Sequence, residues 1–526
     1  MDKGSLRAEL HWDRVVPCFP QRAVSVVQQI ASIAVDRPTA IAVVESDSRL
    51  NYSDLYRQCG SLAALLAASG VGPGDRVAVM LANGTDAVRA VVATLRLGAV
   101  LVAISTRSRT AELDHICADC APSAIIYGPE FTAIVAAAPA APALRFDVTA
   151  SAWRTAVVQA DRPPPAVPVD EDAVFAILYT SGTTGQPKGA MLTNLGVIHS
   201  CLHWREALAL GAEERTLVCV PWAHVSGLCG VIMPFLCLGG TLIMLPEFKR
   251  RAALELAERE RITHALMVPA MYGLCLLEPD LAEFDLTHWR IAAYGGAPMP
   301  ESTITRFAAA LPWLAMCNAY GATETTSPAT IMPPGQGIAR ADSIGRVVAC
   351  GDIRIMDDHG REMPAGINGE LWIAGPMVVP GYWRNPAATA AAFVNGYWKS
   401  GDIGSIDVDG YVRIADRKKD MIIRGGYKIY PAEVESVLAG LTGVIEAAVV
   451  GRSDPMLGEA VVAFVTAEGG ALTPHAVRAW CADRLSDYKV PAQVIIAAAA
   501  LPRNANGKIQ KMALRERAEV LGACPA

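Results

Sequence analysis

The stretch "YTSGTTGQPKGA", residues 179–190, follows the apolar run "VFAIL" at 174–178 and leads into a helical pattern that begins near Thr193. Three glycines let successive backbone N–H groups turn inward, as in the nests that bind anions. A lysine and several hydroxyl groups add a positive charge and further hydrogen-bond donors. The residues expected to contact a polyphosphate are Thr180, Ser181, Gly182, Thr183, Thr184, Gly185 and Lys188. Because the order differs from that of the Walker loop, the Walker mechanism is not transferred.

Short β-branched runs alternate with helical patterns on both sides of this stretch, from about residue 40 to residue 296. The runs are "AIAVVE" at 40–45, "RVAVMLA" at 76–82, "VLVAIS" at 100–105, "SAIIYG" at 123–128, "VFAILYT" at 174–180, "TLVCVP" at 216–221, "TLIMLP" at 241–246, "HALMVP" at 264–269 and "RIAAYGG" at 290–296. This alternation predicts an α/β fold with mostly parallel sheets covered by helices. Ligands of such sheets bind at the carboxyl ends of strands, where the loop at Thr180 lies.

The pattern changes after about residue 345 to short strands with turn residues, such as "DIRIMDDHG" at 352–360, "GELWIAG" at 369–375 and "GYVRIAD" at 410–416. These indicate a β-rich subdomain, and Gly401-Asp402 and Asp409-Gly410 are expected to form turns. The last elements predicted are a helix at Pro431–Ala439, strands at 445–450 and 460–466, a helix at 473–485 and a strand at 493–498. A chain of 526 residues exceeds a single core. We expect a large N-terminal domain at 1–415 and a small, mobile α+β domain at 416–526.

Charge and composition exclude several classes of protein. The net charge is −6 with no basic stripe, so nucleic-acid binding is not expected. The amino terminus lacks an uninterrupted apolar segment, which favours a cytoplasmic protein over a secreted one. Residues 217–245 carry no charge, but prolines and glycines divide them as in a strand–helix–strand crossover rather than a membrane span. Cys117 and Cys120 have no second ligand pair nearby and are expected to be ordinary buried thiols.

Five further motifs follow the glycine-rich stretch along the chain. They are "YGGAPMP" from Tyr294, "NAYGATETT" from Asn318, "YWKSGDIG" from Tyr397, "IADRKKDMIIRGGYKIYPAEVE" from Ile414 and "LPRNANGKIQK" from Leu501. With the first, they resemble in order and spacing the motifs of the acyl-adenylate-forming superfamily, the AMP-dependent synthetases and ligases. The resemblance spans nearly the whole chain. It is greatest to acyl-CoA synthetases such as fatty-acid and 4-coumarate CoA ligases.

The resemblance implies a site for ATP and Mg²⁺. Glu324 matches the carboxylate that holds Mg²⁺, a cation that prefers carboxylate and phosphate oxygens, and Thr323 is a hydroxyl donor beside it. Asp402 matches the carboxylate that accepts both ribose hydroxyls, and Arg417 the arginine on the ribose side. The residues that match the adenine pocket are Gly295, Gly296, Ala297, Pro298, Tyr320 and Gly321.

Four further positions match residues involved in the reaction. Lys508 resembles the catalytic lysine, whose charge would offset the negative charge that accumulates at the α-phosphate. His224 matches a position that borders the acyl pocket, although a buried histidine bonded to backbone is an equal alternative. Lys419 matches the hinge about which the small domain rotates. Gly425 and Gly426 would allow close approach of the pantetheine arm of coenzyme A.

The activity implied is that of an ATP-dependent acyl-CoA synthetase. The carboxylic acid would first form an acyl-AMP with release of pyrophosphate, and a thiol would then displace AMP. Coenzyme A is the expected acceptor. Transfer to a carrier protein and a nucleotide-binding homologue without catalysis remain alternatives. The small apolar segments at 224–234 and 326–333 favour a monocarboxylic aliphatic or aromatic acid.

Overall fold

The computed structural model describes residues 6–160, 163, 166–168, 170–181, 187–425, 427–467, 472–503 and 509–523. The chain divides into two compact units. The first unit comprises Met1–Met299, Thr303–Ile353 and Ile373–Lys399, and the second comprises Pro300–Ser302, Arg354–Trp372 and Ser400–Ala526. The domain boundary after residue 415 stays a prediction.

Strands and helices alternate through most of the chain, and the elements of both units are numbered together. The strands in chain order are β1 (Arg7–His11), β2 (Arg14–Cys18), β3 (Ile41–Glu45), β4 (Ser48–Asn51), β5 (Arg76–Met80), β6 (Val100–Ala103), β7 (Ala124–Tyr127), β8 (Leu144–Asp147), β9 (Val174–Ser181), β10 (Pro187–Thr193), β11 (Arg215–Val218), β12 (Thr241–Met244), β13 (His264–Met267), β14 (Ile291–Tyr294), β15 (Ala315–Tyr320), β16 (Thr330–Ile331), β17 (Gly345–Val347), β18 (Asp352–Met356), β19 (Gly369–Ala374), β20 (Phe393–Val394), β21 (Tyr397–Ile406), β22 (Tyr411–Arg417), β23 (Ile422–Arg424), β24 (Tyr427–Ile429), β25 (Val444–Asp454), β26 (Gly458–Ala467) and β27 (Gln493–Ile496). The α-helices are α1 (Val26–Asp36), α2 (Tyr52–Ala68), α3 (Thr85–Arg96), α4 (Thr110–Cys120), α5 (Thr132–Ala137), α6 (Ser151–Gln159), α7 (Asn194–Leu208), α8 (Val225–Gly227), α9 (Met233–Leu238), α10 (Arg250–Arg259), α11 (Pro269–Cys275), α12 (Glu301–Ala310), α13 (Pro386–Ala392), α14 (Pro431–Ala439), α15 (Pro474–Ala482) and α16 (Lys511–Ala523). One-turn 3₁₀ segments lie at Pro129–Phe131, Leu281–Glu283, Thr323–Thr325 and Asp487–Lys489, and a π-helical segment lies at Leu228–Ile232.

Two sheets organise the first unit. The six-stranded sheet has the order β10-β9-β6-β5-β7-β8, and its pairs are parallel except β9 with β10. The larger sheet runs β15-β14-β13-β11-β12-β3 in parallel, with antiparallel β4 beyond β3 and β16 beyond β15. All nine predicted strands are present, which confirms the α/β prediction. Their residues are almost wholly buried because helices cover the parallel sheets.

The uncharged segment at 217–245 forms the predicted crossover. Strands β11 and β12 are parallel neighbours, and α8, the π-helical segment and α9 connect them. Within the described residues, no helix is long and apolar enough to cross a membrane.

The CxxC pair is confirmed as two buried thiols near the carboxyl end of α4. Burial raises the pKa of Cys117 to about 12 and that of Cys120 to about 11. Both thiols are therefore protonated at neutral pH and are poor nucleophiles.

The second unit contains the predicted carboxy-terminal elements. Strands β24, β23, β26 and β25 form an antiparallel sheet, to which β27 adds in parallel. Helix α14 has the predicted bounds, and α15 lies within the predicted helix. Their apolar faces share a core with the sheet that includes Val434, Leu438, Val477 and Cys481.

The predicted turn at Gly401-Asp402 is wrong, because both residues lie inside strand β21. Gly401 has φ +70°, a backbone conformation that favours glycine. Here that conformation occurs inside the strand rather than at a reversal of the chain. Asp402, the next residue, pairs with Arg417 of β22. The predicted turn at Asp409-Gly410 is present, and the N–H of Gly410 donates to the carbonyl of Asp407.

Candidate active site

Three predicted site segments leave the same edge of the large parallel sheet. His224 follows β11, the turn from Gly295 to Pro298 follows β14, and Tyr320 ends β15. Strands β14 and β15 are direct neighbours, with Tyr294 opposite Asn318. The turn and Tyr320 therefore begin at adjacent positions, at the carboxyl edge where open α/β sheets bind ligands.

Gly295 permits this close approach of two strand ends. A Cβ atom at this position would lie 2.2 Å from the carbonyl oxygen of Ala319, a distance that no side chain can adopt. Gly296 has φ +79°, a conformation that glycine adopts without steric cost. The chain can therefore turn at this position. Gly296, Ala297 and Pro298 are exposed and available to a ligand.

Glu324 lies half-buried on the 3₁₀ segment Thr323–Thr325, three residues after Gly321. The hydroxyl of Tyr382 donates a hydrogen bond to Oε1 of Glu324 over 2.8 Å. Burial, and secondarily the Glu324 carboxylate, raise the pKa of Tyr382, so this hydroxyl remains a donor at neutral pH. The backbone N–H of Val379 also donates to the carbonyl of Glu324 over 2.9 Å. The Tyr382 segment thus positions Glu324 through both side chain and backbone.

The same segment contacts the glycine-rich stretch. Ala190 pairs with Tyr382, and the N–H of Trp383 donates to the carbonyl of Gly189 over 2.7 Å. The ammonium of Lys188 lies 5.5 Å from the centroid of the Tyr382 ring, within cation–π range. Tyr382 therefore joins Glu324, on the 3₁₀ segment that follows β15 of the large sheet, to Lys188, on β10 of the six-stranded sheet.

The expected loop from Thr180 to Gly189 is partly wrong. Residues 187–193 form strand β10, which pairs antiparallel with β9 and places Lys188 opposite Thr180. Gly189 allows this pairing because a Cβ atom there would lie 2.6 Å from Cγ2 of Ile177. Helix α7 then begins at Asn194, and the side chain of Thr193 caps it by accepting from the N–H of Gly196 over 3.1 Å.

His224 is half-buried, and its place at the border of the acyl pocket stays a prediction. It precedes the first residue of α8, and its backbone N–H donates to the carbonyl of Pro221. Trp222 is buried, and its indole N–H donates to the carbonyl of Leu81 over 2.7 Å.

The second unit holds the predicted ribose-side pair. Asp402 is buried, and its Oδ1 accepts from Nε of Arg417 over 2.8 Å. Half of the Arg417 side chain remains exposed. The pairing of β21 with β22 places the two residues directly across from each other. The structure therefore brings together two residues that the sequence separates by a turn.

The turn after β22 contains the predicted hinge. Lys418 pairs with Asp358 at 2.8 Å and with Glu370 at 3.2 Å, whereas Lys419 is exposed. Gly425 is exposed at the turn between β23 and β24, with φ +57°.

Several predicted residues lie outside the described part of the chain. They are Gly182, Thr183, Thr184, Gly185, Gly426 and Lys508, and of Ser181 only the backbone is described. Their roles stay predictions.

Sequence reasoning missed Tyr382. The segment "GYW" at 381–383 has a glycine before two aromatic residues, which indicates a turn. Nothing in the sequence connects it with Glu324, 58 positions away.

Family models of known proteins match both the amino-terminal and the carboxy-terminal part of the chain. A family model described as "AMP-binding enzyme" matches residues 31–383, and one described as "AMP-binding enzyme C-terminal domain" matches residues 433–508. The chain is 38% identical over 481 residues to a feruloyl-CoA synthase of Amycolatopsis sp, covering 91% of this chain and 96% of that protein. It is 36% identical over 486 residues to the long-chain-fatty-acid–CoA ligase FadD13 of Mycobacterium tuberculosis, covering 91% and 96%.

A solved structure of ATP-bound MatB from Rhodopseudomonas palustris is similar throughout. The TM-score is 0.86 at 30% sequence identity, over 94% of this chain and 99% of that one. The motifs and both family matches lead to one assignment. The chain belongs to the AMP-binding enzyme family.

Proposed function

We propose that the protein is an ATP-dependent acyl-CoA synthetase that forms an acyl-AMP, releases pyrophosphate and transfers the acyl group to coenzyme A. The observation that carries the proposal is the contact chain Lys188–Tyr382–Glu324. It holds a cation and a carboxylate close together at one edge of an α/β unit. The relatives named as CoA synthase and CoA ligase support the choice of acceptor.

The first unit would bind the phosphates and the metal. Lys188 and the hydroxyl of Thr180 lie on facing strands and offer positive charge and a donor to phosphate oxygens. Glu324 fits Mg²⁺, because its half-buried carboxylate is a hard oxygen ligand and is already oriented by a hydroxyl donor. Bound Mg²⁺ would supply charge neutralisation at the phosphates. Tyr320 and the turn at Gly295 would contact the adenine.

The second unit would supply the remaining groups. Asp402 would accept the ribose hydroxyls, with Arg417 orienting its carboxylate. Lys508 would donate to the developing charge at the α-phosphate. Rotation about Lys419 between the two steps would bring the segment at Gly425 and Gly426 to the thiol.

Two bond exchanges make up the reaction. A carboxylate oxygen of the acid attacks the α-phosphorus of ATP in line, and the bond to the pyrophosphate oxygen breaks. The thiolate of coenzyme A then attacks the acyl carbonyl carbon, and AMP leaves with the electron pair of the acyl–oxygen bond. His224 is proposed to border the carbonyl end of the acid.

The acid is proposed to be monocarboxylic and aliphatic or aromatic. The segments at 224–234 and 326–333 contain no lysine or arginine that could pair a second carboxylate. A malonate-like diacid would leave a charge unpaired against apolar groups, which is costly.

Exchange of labelled pyrophosphate into ATP tests the first step. We expect exchange that depends on an added acid and Mg²⁺, and AMP release that requires coenzyme A. Replacement of Lys508 by Ala is expected to abolish exchange. Acid-independent ATP hydrolysis, or AMP release only with an acyl carrier protein, would contradict the proposed function.

A further inference from the structure

The buried side chain of Asn83 joins the carboxyl ends of strands from both sheets of the first unit. Asn83 lies in the connection from β5 to α3. Its amide nitrogen donates to the carbonyls of Val220, Leu245 and Val218, at 3.0, 3.3 and 3.4 Å. Val218 ends β11 and Leu245 directly follows β12, its parallel neighbour. Asn83 therefore links the six-stranded sheet, to which β5 belongs, with the large sheet.

The other polar atom of the Asn83 side chain holds the segment that follows β11. Its amide oxygen accepts from the backbone N–H of Trp222 over 2.9 Å. The indole N–H of Trp222 donates in turn to the carbonyl of Leu81 over 2.7 Å. The connection after β5 thus holds Trp222 through both its backbone and its side chain. His224 lies only two residues further along the chain.

A tight turn connects Trp222 with His224. The N–H of His224 donates to the carbonyl of Pro221 over 3.2 Å, and α8 begins at the next residue. Gly227 of α8 packs against this turn, since a Cβ atom there would lie 2.2 Å from the carbonyl oxygen of Pro221 and 2.6 Å from Cα of Trp222. Because the 221–224 turn is packed so closely, a shift of Trp222 is transmitted to His224.

The backbone next to Asn83 is itself fixed to the large sheet. The N–H of Thr85 donates to Oε2 of Glu45, the last residue of β3, over 2.8 Å. Strand β3 adjoins β12. Loss of the Asn83 amide would break all its bonds to the backbone at once, and buried backbone groups without partners are costly. The 221–224 turn would then relax to a new position.

We propose that Asn83 is a positioning residue that holds His224 at the carbonyl end of the acid. The inference rests on the proposed function, in which His224 borders that end. Both polar atoms of the Asn83 side chain are engaged with backbone groups, so Asn83 acts on the acid through the 221–224 turn. ATP binding, which the proposed function assigns to other segments, does not depend on Asn83.

Asn83→Ala tests the proposal in acid-dependent pyrophosphate exchange. The acid used is the member of a panel of 4-hydroxycinnamate, phenylacetate and octanoate that supports the fastest wild-type exchange. We expect kcat/KM for this acid to fall about tenfold. ATP affinity, measured by titration calorimetry, is expected to stay within about twofold of the wild-type value, because the interaction lost concerns the acid alone.

A double-mutant cycle shows whether Asn83 acts through His224. His224→Ala alone is expected to lower kcat/KM for the same acid. Added to His224→Ala, Asn83→Ala is expected to lower it by less than about threefold more, because the side chain that Asn83 positions is already absent. A merely structural role for Asn83 would give the same loss in both backgrounds.

Asn51→Ala is the matched control for lost stability. The side chain of Asn51 caps α2 by accepting from the N–H of Asp54 over 2.8 Å. Asn51 pairs with Ile41, the first residue of β3, and so lies at the edge of the large sheet opposite the carboxyl ends of its parallel strands. This substitution is expected to lower the midpoint of thermal unfolding and to leave kcat/KM for the acid unchanged.

Trp222→Phe disturbs the same turn more mildly than Asn83→Ala. It removes the indole N–H that bonds to Leu81 and retains an aromatic ring. We expect kcat/KM for the acid to fall about threefold, and the fall to be smaller in the His224→Ala background. Trp222→Phe takes the place of Asn83→Ala in the cycle if thermal unfolding shows that Asn83→Ala does not fold.

The outcomes separate the inference from the function on which it rests. Wild-type kcat/KM in folded Asn83→Ala, an equal loss in both backgrounds, or weakened ATP affinity would overturn the role of Asn83 and leave the acyl-CoA synthetase assignment intact. Wild-type kcat/KM in His224→Ala would also overturn it, since there would be no role of His224 to support. If none of the three acids supports exchange by the wild type, both proposals fail.

Discussion

A single hydroxyl, that of Tyr382, connects the carboxylate of Glu324 with the hairpin that carries Lys188. Phe at this position would keep the ring beneath the ammonium and remove only the donor. The carboxylate would then lose the hydrogen bond that orients it. At the scale of residues, the proposed metal site therefore depends on a group that binds no metal itself.

We expect Tyr382→Phe to lower kcat/KM for ATP about tenfold, the effect of one lost hydrogen bond to a charged group. We also expect half-maximal activity to require more Mg²⁺. Tyr52→Phe is the control, since the buried hydroxyl of Tyr52 donates to the carbonyl of Gly240 over 2.7 Å, remote from the site. It should lose about 1 kcal/mol of unfolding free energy without a change in Mg²⁺ dependence. Equal Mg²⁺ titration curves for wild type and Tyr382→Phe would contradict the positioning role.

Gly295 offers a second test, because a methyl group there would collide with backbone. Gly295→Ala must displace the end of β14 or β15, so we expect ATP affinity to fall at least about tenfold with loss of about 1–3 kcal/mol of stability. Gly273→Ala, on helix α11, adds a methyl group with no atom within 4 Å and is expected to stabilise by about 0.5–1 kcal/mol. Titration calorimetry with ATP and urea unfolding distinguish the two. Unchanged ATP affinity in Gly295→Ala would exclude the turn from the nucleotide site.

The sequence predicted those site residues that belong to contiguous motifs. Lys188 and Glu324 could be identified because glycines, hydroxyls and charges cluster around them. Tyr382 could not, since its hydrogen-bond partner Glu324 lies 58 positions away in the chain. Only the contacts of the 381–383 segment in the folded chain show that Tyr382 bonds to Glu324.

At the scale of elements, a network around Arg22 attaches the amino-terminal hairpin β1–β2 to the rest of the first unit. Its buried guanidinium forms paired hydrogen bonds with both Glu9 and Glu171. Glu9, His11 and Cys18 offer ligand atoms within 4.8 Å of one another. Because Arg22 already pairs with the Glu9 carboxylate, this cluster is an ion-pair network rather than a metal site.

The Arg22 guanidinium holds the pKa of Glu9 well below its ordinary value of 4.5. A lowered pKa in the folded state means that the stabilisation is complete above about pH 4.5 and is lost as the pH falls toward the folded-state pKa. We expect Glu9→Gln to cost about 1–3 kcal/mol at pH 7 and the difference from wild type to shrink progressively below pH 4.5. Glu213→Gln, at an exposed pair with Arg37, should cost less than about 1 kcal/mol. Urea unfolding at several pH values measures both, and a difference that persists at acid pH would contradict this account.

Elements were predictable where hydrophobic runs and turn residues agreed. The nine apolar runs all became strands, and α14 had the predicted bounds because Pro431 can begin a helix and a glycine follows Ala439. Strand β10 was missed because its glycine and lysine are typical of loops, whereas antiparallel pairing with β9 stabilises them in a strand. The Gly401-Asp402 turn was wrong for a related reason, since tertiary pairing with β22 overrode a local turn signal.

At the scale of the whole molecule, the two proposed half-reactions assign different tasks to the second unit. Lys508 would act in acyl-AMP formation, and the segment at Gly425 in thiol transfer. Exposed Lys419 lies in the turn between β22 and β23, so a change of its own backbone angles would displace no buried side chain at that position. This turn is therefore the proposed hinge.

Restricting this hinge should separate the two steps. Proline fixes its own φ and limits the preceding residue, so Lys419→Pro is expected to slow thioester formation about tenfold or more while acid-dependent pyrophosphate exchange persists. Lys419→Ala removes the charge, leaves the backbone free and should affect neither step. Single-turnover assays that begin from acyl-AMP and coenzyme A measure the second step alone. Equal slowing of both steps by Lys419→Pro would point to local misfolding, whereas no slowing of thioester formation would exclude rotation at this residue.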